Sequence, residues 1–210
     1  MRFDANGFAL AVFAYLSGSI LYGVIVARRR GVDLRKVGSG NLGATNVGRA
    51  LGPGVGRWVL VLDALKGFVP TLAARLALGD GPWTSIAGFM AVLGHCCPVF
   101  FRFRGGKGAA TAFGVTLAVW PVSACLAITV FALLRRATGR ASIGTLAGVF
   151  VALILLPVEG GALPGVVLDV LAAPRSVEPY LMSCAVALLV IARHRENLRR
   201  LWAGTEHRID

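Results

Sequence analysis

Long apolar runs separated by short polar segments dominate the pattern of this chain. Only the second run contains charged residues, namely Asp63, Lys66 and Arg75. A helix needs roughly 20 mostly apolar residues to cross a bilayer. The pattern therefore predicts membrane-spanning helices, in runs that cover residues 7–27, 58–78, 83–101, 108–134, 141–158 and 179–192.

The run at 108–134 is longer than one untilted span requires, and Trp120-Pro121 interrupts it. Proline cannot donate its backbone hydrogen bond and often ends a helix. The run is therefore either one long kinked helix or a hairpin of two short helices. A single span would put the cations at 135–140 on the outer face, whereas a hairpin keeps them inside, so charge favours the hairpin.

Charge also sets the orientation of the whole chain. Most of the 22 lysines and arginines lie in four segments, 28–57, 102–107, 135–140 and 193–208. Cations favour the cytoplasmic side, and the predicted outer segments contain only Arg2 and Arg175. We therefore predict an all-α integral membrane protein with seven transmembrane helices, the N-terminus outside and the C-terminus inside. Three glycine-rich or basic motifs then lie on the cytoplasmic side.

Composition supports one multi-pass membrane domain over residues 1–210. The chain is 56% hydrophobic and only 15% charged, whereas soluble domains have roughly 25% charged residues. Topology and anionic lipids explain much of the net charge of +12. No aromatic-interleaved basic face predicts a nucleic-acid partner, and no Cys/His spacing predicts a zinc site.

The first polar motif lies at residues 38–46 and satisfies G-x-G-x-x-G. A dinucleotide site requires a preceding strand within a βαβ unit, and here a membrane span precedes the motif, so that interpretation is rejected. Glycine amides, hydroxyls and carboxamides suit an anion, and Arg49 adds a charge. The alternative is a flexible glycine linker.

The second motif, Arg104-Gly105-Gly106-Lys107-Gly108, differs from a Walker sequence because Lys107 is followed by glycine. It opens a predicted helix, so a phosphate could meet Lys107 and a helix N-terminus together. The alternative is a group of juxtamembrane cations that only fixes topology.

Three further sets of residues are candidates. Asp63 and Lys66 share one face of a membrane helix, where charges usually face a functional cavity or form a structural ion pair. His194 and Asn197 are neighbours at the end of the last span, where His194 is a candidate base. Ser142 lies where a basic loop enters a helix, and its alternative role is an N-cap.

Taken together, the motifs resemble one family, the bacterial acyl-phosphate:glycerol-3-phosphate acyltransferases. The matching segments are GSGNLGATNVGRALG (38–52), DALKG (63–67), GHCCPVFFRFRGGKGAAT (94–111) and HRENLRRLWAGTE (194–206). The resemblance implies acyl transfer from a fatty acyl-phosphate to the 1-hydroxyl of glycerol 3-phosphate, which yields lysophosphatidic acid and phosphate. It also implies seven helices, a bacterial inner-membrane location, an active site on the cytoplasmic side, and no metal or organic cofactor.

The resemblance also implies a set of site residues. The catalytic candidates are Lys107, Ser142, His194 and Asn197. The substrate-binding candidates are Ser39, Gly40, Asn41, Gly43, Thr45, Asn46, Arg49, Lys66, Arg104, Gly105, Gly106 and Glu206. Arg140-Ala141 precede Ser142 where the family usually has an aromatic and a β-branched residue. The H-x4-D signature of other glycerol-phosphate acyltransferases is absent, which argues against a thioester donor.

The reaction is compatible with these residue types. An acyl-phosphate already contains a good leaving group, so the protein must mainly gather two anions and orient a hydroxyl. No serine or cysteine nucleophile with an attendant base and acid is evident, so we predict direct transfer without an acyl-enzyme. The competing classes are a transporter of phosphorylated compounds, which favours an internal repeat, and a lipid phosphatase, for which His194 lacks convincing partners.

Overall fold

The computed structural model describes residues 4–161 and 176–208, and every regular element in those ranges is helical. Two 3₁₀ turns lie at Leu34–Lys36 and Val99–Phe101. The α-helices are α1 Ala5–Gly18, α2 Tyr22–Arg29, α3 Ala44–Leu51, α4 Pro53–Leu78, α5 Pro82–Cys96, α6 Ala109–Val119, α7 Pro121–Thr138, α8 Ala141–Gly161, α9 Glu178–Arg193 and α10 Arg195–Trp202.

The first apolar run differs from the prediction, because it forms two helices with a break between Ser19 and Leu21. Lys66 Nζ of α4 donates to the Ile20 carbonyl oxygen at 2.7 Å, and Ser19 Oγ donates to the Tyr15 carbonyl oxygen at 2.8 Å. A distant ammonium group thus takes the place of a helical N–H as the partner of a carbonyl group. By length and composition the whole segment Ala5–Arg29 remains a candidate span.

The run at 108–134 breaks at Trp120, between α6 and α7, where the sequence pattern places the interruption. Trp120 is fully buried, its Nε1 donates to Ser183 Oγ at 3.0 Å, and its ring meets Tyr180 edge-on at 4.7 Å. Pro121 then starts α7. Side-chain anchoring to α9 therefore fixes the break, while the two-span hairpin across the bilayer stays a prediction.

Close contacts between small residues hold the helices together. A Cβ on Gly18 of α1 would collide with the Ala91 backbone of α5, and one on Gly114 of α6 would collide with the Ala64 carbonyl of α4. Such small-residue interfaces let helix backbones approach closely in membrane proteins. The outer surfaces are apolar, with Phe13 and Leu188 among the large exposed side chains.

Three segments of the described chain are long and apolar enough to cross a bilayer, namely Ala5–Arg29, Pro82–Phe101 and Pro121–Thr138. Ala109–Val119 and Ala141–Leu156 are shorter apolar helices. The fold thus has the helical, apolar character that the sequence predicts. The predicted acidic outer loop at 159–178 falls mostly outside the described residues, so the number and orientation of the spans remain predictions.

Candidate active site

A cavity of about 400 Å³ lies between α4, α6, α7, α8 and α9 and reaches the loops at their ends. One part of its wall, which we call the polar end, carries hydrogen-bonding and charged groups. The polar end comprises Ser39, Asn41, Gly43, Thr45, Arg49, Lys107, Ser142, His194, Asn197, Glu206 and His207. Residues from four distant parts of the sequence therefore share one surface.

The other part of the cavity, which we call the apolar arm, runs along α8. The α8 residues on its wall recur every three or four positions, as one face of a helix requires, from Thr145 through Gly148, Val149 and Ala152 to Leu156. At 1.5 Å per residue, the helix face from Ser142 to Leu156 is about 21 Å long. Ala124, Val186 and Ala187 complete the wall from α7 and α9.

Ser183 lines the apolar arm, yet its hydroxyl has partners on both sides. It accepts a hydrogen bond from Trp120 Nε1 at 3.0 Å and donates one to the Pro179 carbonyl oxygen at 2.8 Å. A hydroxyl that already has a donor and an acceptor is compatible with an alkyl chain beside it. The arm as a whole therefore suits an apolar ligand.

The first glycine-rich motif forms a loop that Asn46 organises from within. Asn46 is fully buried, and its Nδ2 lies 2.9–3.0 Å from the carbonyl oxygens of Leu34, Val37 and Asn41. Its Oδ1 accepts from the Ser39 N–H at 3.0 Å. Asn46 therefore shapes the loop and does not line the cavity, whereas Ser39, Asn41, Gly43 and Thr45 do.

Gly40 and Arg49 differ in their relation to the cavity. Gly40 has a φ of 68°, which suits glycine, and it does not line the wall. Arg49 lines the polar end, and its Nη2 reaches the carbonyl oxygens of His207 and Arg208 at 3.4 and 3.3 Å. Arg49 thereby connects α3 to the C-terminal segment after α10.

Gly105 and Gly106, which we call the glycine turn, use their amides inside the protein. The Gly105 N–H donates to the Cys96 carbonyl oxygen at 3.2 Å, and the Gly106 N–H donates to the His95 carbonyl oxygen at 3.1 Å. A Cβ on Gly106 would collide with the His95 ring. The anion-binding group that this motif presents to the cavity is therefore Lys107 and not the glycine amides.

Arg104 lies outside the cavity wall. It is exposed, and its carbonyl oxygen lies 3.5 Å from Arg35 Nη2. The structure thus places this substrate-binding candidate at the surface, next to the glycine turn.

Lys107 is a cation of the polar end whose pKa is shifted strongly by its surroundings. Its Nζ donates to Asn197 Oδ1. Burial lowers its pKa from 10.5 to about 8, and the nearby charges of Arg200 and Arg49 act in the same direction, while Glu206 opposes them. Lys107 is therefore mostly protonated at neutral pH and loses its charge in mildly alkaline solution.

Glu206 connects three other residues of the site. Its Oε1 accepts from Ser142 Oγ at 2.7 Å and from Asn197 Nδ2 at 2.6 Å, and its Oε2 accepts from Arg200 Nε at 2.8 Å. Burial would raise the pKa of Glu206, but these three hydrogen bonds outweigh burial and hold the pKa below its ordinary value. Glu206 is therefore an anionic acceptor that fixes the orientation of Ser142 and Asn197.

His194 is held as a neutral ring. Its Nδ1 lies 2.7 Å from the Val190 carbonyl oxygen, which can only accept, so the proton is on Nδ1 and the Nε2 lone pair is available. Burial lowers the pKa of His194 to about 4, and Lys107 contributes to the lowering. His194 therefore lines the cavity as a hydrogen-bond acceptor at neutral pH.

Asp63 and Lys66 form a buried ion pair at 2.8 Å. Lys66 does not line the cavity, because its ammonium group turns to the Ile20 carbonyl oxygen. Asp63 and His95 do line it, and His95 Nδ1 lies 3.8 Å from Asp63 Oδ1. The sequence left open whether Lys66 faces a functional cavity or forms a structural ion pair, and this geometry is that of a structural ion pair.

Helix N-termini add to the positive character of the polar end. Ala44 at the start of α3, Ala109 at the start of α6 and Ala141 at the start of α8 all line the cavity. Helix N-termini attract anions through their dipole and their unpaired N–H groups. Three such termini and the nearby cations suit a phosphate group.

Sequence reasoning missed Arg200 and His95 as parts of the site, whereas it singled out Asp63, which the structure places on the cavity wall. Arg200 was indistinguishable from the other cations of the C-terminal segment. Asp63 was identified by its place in a membrane span, where a charge is costly and usually faces a functional cavity. No local pattern identified His95, whose role depends on the glycine turn folding back onto it.

The fold and the cavity together define a class: a helical membrane protein with a site for an amphiphilic anion. A family model described as glycerol-3-phosphate acyltransferase matches residues 8–204. The chain is 44% identical over 203 residues to the glycerol-3-phosphate acyltransferase of Aquifex aeolicus, across 95% of this chain and 97% of the relative. It is 42% identical to the enzyme of Geobacter sulfurreducens, across 97% of each chain.

Solved structures agree with these relatives. The chain resembles the crystal structure of PlsY (YgiH), an integral membrane glycerol 3-phosphate acyltransferase, in its glycerol 3-phosphate form. The TM-score is 0.89 with 42% identity, across 98% of this chain and 96% of that one. The lysophosphatidic acid form of PlsY gives a TM-score of 0.86 with 40% identity. The chain belongs to the glycerol-3-phosphate acyltransferase family and is an integral membrane enzyme of that activity.

Proposed function

We propose that this enzyme transfers the acyl group of a fatty acyl-phosphate to the 1-hydroxyl of glycerol 3-phosphate. The products are 1-acyl-glycerol 3-phosphate, that is lysophosphatidic acid, and inorganic phosphate. The observation that carries the proposal is that a cationic polar end and an apolar arm belong to one and the same cavity. We place the reaction at the cytoplasmic side of a bacterial inner membrane, in accord with the charge distribution of the chain.

The polar end suits the two phosphate groups of such a reaction. Lys107 and Arg49 provide charge, Ser39 a hydroxyl, and the start of α3 backbone amides. PlsY, a relative with solved structures, has a glycerol 3-phosphate form and a lysophosphatidic acid form. An acceptor and a product of this kind fit the same polar end here, with the acyl chain of the product in the apolar arm.

The transfer step is a direct displacement. The acceptor oxygen bonds to the acyl carbon while the bond from that carbon to the phosphate oxygen breaks, and phosphate leaves with the bonding electrons. The hydroxyl proton passes to His194 Nε2 or to the departing phosphate. A pKa of about 4 makes His194 a weak base, so the phosphate is a real alternative.

Ser142 orients the acceptor in this scheme and does not act as a nucleophile. Its hydroxyl donates to Glu206, whose pKa is held low, so Glu206 is a poor base for activating it. The lone pairs of Ser142 Oγ remain able to accept a hydrogen bond from the substrate hydroxyl. No cysteine is among the described residues that line the cavity.

The donor is tested with purified protein in nanodiscs and labelled glycerol 3-phosphate. Palmitoyl-phosphate, palmitoyl-CoA or no donor is supplied, and labelled lysophosphatidic acid is measured. We expect product from the acyl-phosphate only, and its loss in Lys107→Ala. Lys36→Ala is the matched control, because Lys36 is exposed in the 3₁₀ turn before the loop. Product from palmitoyl-CoA at an equal rate would refute the donor assignment.

Two further measurements test the mechanism. A covalent acyl adduct on the protein, detected by mass spectrometry after rapid quenching, would refute direct transfer. His194→Gln separates the two proton acceptors, because glutamine can donate and accept but is not basic. A large loss of kcat assigns the proton to His194, whereas near-normal turnover assigns it to the phosphate.

A further inference from the structure

Arg193 is the last residue of α9 and directly precedes His194. Its Nε donates to the Gly106 carbonyl oxygen and its Nη2 donates to the Gly105 carbonyl oxygen, both at 3.0 Å. One guanidinium group thus spans both carbonyl groups of the glycine turn. Arginine presents its donors in a fixed planar fork, so this contact sets a direction as well as a distance.

The opposite side of the glycine turn is also held. Its two N–H groups donate to the carbonyl oxygens of His95 and Cys96 at the end of α5. The turn is therefore fixed from α5 through its amides and from α9 through its carbonyl groups. The next residue is Lys107, which has little freedom to move apart from the turn.

Arg193 therefore joins two parts of the site that come from distant segments. On one side of it lies His194, whose ring is fixed to Val190 within α9. On the other side lies the turn that carries Lys107, whose ammonium group meets Asn197. The other explanation for Arg193 is an exposed cation that only fixes topology, and that role requires no contact with the turn.

We propose that Arg193 is a positioning residue, which holds the glycine turn against the end of α9 so that Lys107 and His194 face the same polar end. It acts through Lys107 and does not itself line the cavity. The inference rests on the proposed function only for the choice of acyl donor. The effect of Arg193 on glycerol 3-phosphate binding does not depend on which acyl donor the enzyme uses.

The test compares Arg193→Gln, Arg193→Lys and the control Arg195→Gln. Arg195 is the matched control because it is a nearby exposed arginine, with an 80% exposed side chain, that faces Glu196 at 3.7 Å. In nanodiscs, kcat/KM for glycerol 3-phosphate is measured against pH. The affinity for glycerol 3-phosphate is measured by calorimetry without a donor, and thermal unfolding is followed in parallel.

We expect Arg193→Gln to lower kcat/KM by about tenfold or more, the effect of losing at least one of its two charge-assisted hydrogen bonds to the glycine turn. The alkaline fall in kcat/KM of Arg193→Gln, the alkaline limb of its profile, should move to higher pH. Arg193 is one of the charges that depress the pKa of Lys107, together with Arg200 and Arg49 and against Glu206, so its removal raises that pKa. Arg193→Lys keeps the charge but not the fork, so it should lose part of kcat/KM with an unmoved limb.

The outcomes separate positioning from stability. Weaker glycerol 3-phosphate binding and a moved limb in Arg193→Gln, with Arg195→Gln unchanged, support the proposal. Normal kcat/KM in Arg193→Gln overturns it, and so does a loss that follows lower thermal stability with an unmoved limb. If the wild type makes no product from the acyl-phosphate, the donor assignment fails, and the affinities still decide the role of Arg193.

Discussion

The ionisation of Lys107 should set the alkaline limit of the reaction. Its pKa is lowered from 10.5 to about 8, first by burial and then by Arg200 and Arg49 against the opposing effect of Glu206. The sign is that of a buried cation: the charged form is disfavoured, so the proton leaves at a lower pH than from an exposed lysine. Because the substrate is anionic, loss of this charge should weaken its binding.

The size of the effect follows from the fraction of protonated Lys107. With a pKa of about 8, this fraction falls about tenfold between pH 7 and pH 9, and kcat/KM, which reports the free enzyme, should fall with it. An exposed lysine would remain almost fully charged over that range. Bound phosphate stabilises the ammonium group, so kcat at saturating substrate should hold to higher pH.

The assay is the initial rate of lysophosphatidic acid formation in nanodiscs from pH 6 to about 9.5, corrected for spontaneous hydrolysis of the acyl-phosphate. Lys107→Arg keeps its charge throughout, so its kcat/KM, although lower, should be flat where the wild type falls. Lys36→Arg should keep the wild-type limb. An equal alkaline fall in Lys107→Arg would refute the assignment, and so would a wild-type profile that stays flat to the end of the range.

Three other substitutions have directions that the structure fixes. Asp63→Asn leaves the Lys66 charge buried without its ion-pair partner and should lower the free energy of unfolding by about 3–5 kcal/mol. The double variant Asp63→Asn with Lys66→Met removes both charges, so it should lose much less. Thermal unfolding of the two variants measures the difference. Ala187→Leu narrows the apolar arm and should shift kcat/KM from palmitoyl- toward lauroyl-phosphate, by about fourfold per excluded methylene. Glu206→Gln replaces one acceptor oxygen by an amide N–H₂, which then faces a side chain that donates to Glu206 in the wild type, namely Ser142, Asn197 or Arg200. The substitution should therefore lower the Tm at neutral pH. Because the pKa of Glu206 is held below its ordinary 4.5, the difference from wild type should narrow as the pH falls below about that value.

The sequence predicted which segments meet at the site better than it predicted the contacts within the site. Hydropathy placed the segments around Ser39, Lys107, Ser142 and His194 at helix ends, and the structure brings all four residues to one cavity. Helix ends on one side of a bundle are necessarily close, so this step follows from the period and length of the apolar runs. The break at Trp120-Pro121 was predictable for a similar reason, because proline has no N–H to donate.

The contacts that the sequence left open depend on partners far away along the chain. The break near Ile20 depends on the ammonium group of Lys66, and the use of the Gly106 amide depends on the carbonyl group of His95. A glycine-rich motif predicts available N–H groups but not whether an anion or a carbonyl group receives them. Asn46 shows the same limit, because a buried carboxamide that shapes a loop and one that binds substrate have the same sequence signal.

The polar end is incomplete as an electrostatic unit without its substrates. Lys107 is near Arg49, Arg193 and Arg200, and Glu206 is the one anion that acts on it in the described chain. This excess of positive charge and the burial of Lys107 both oppose its ionisation, which is a cost in the free enzyme. An anionic phosphate beside Lys107 favours the charged form of the lysine, whereas the neighbouring cations and burial disfavour it. In the proposed reaction, the electrostatic cost of holding cations together in the free enzyme would be recovered when phosphate groups bind, which would account for the small number of acidic groups beside so many cations in this site.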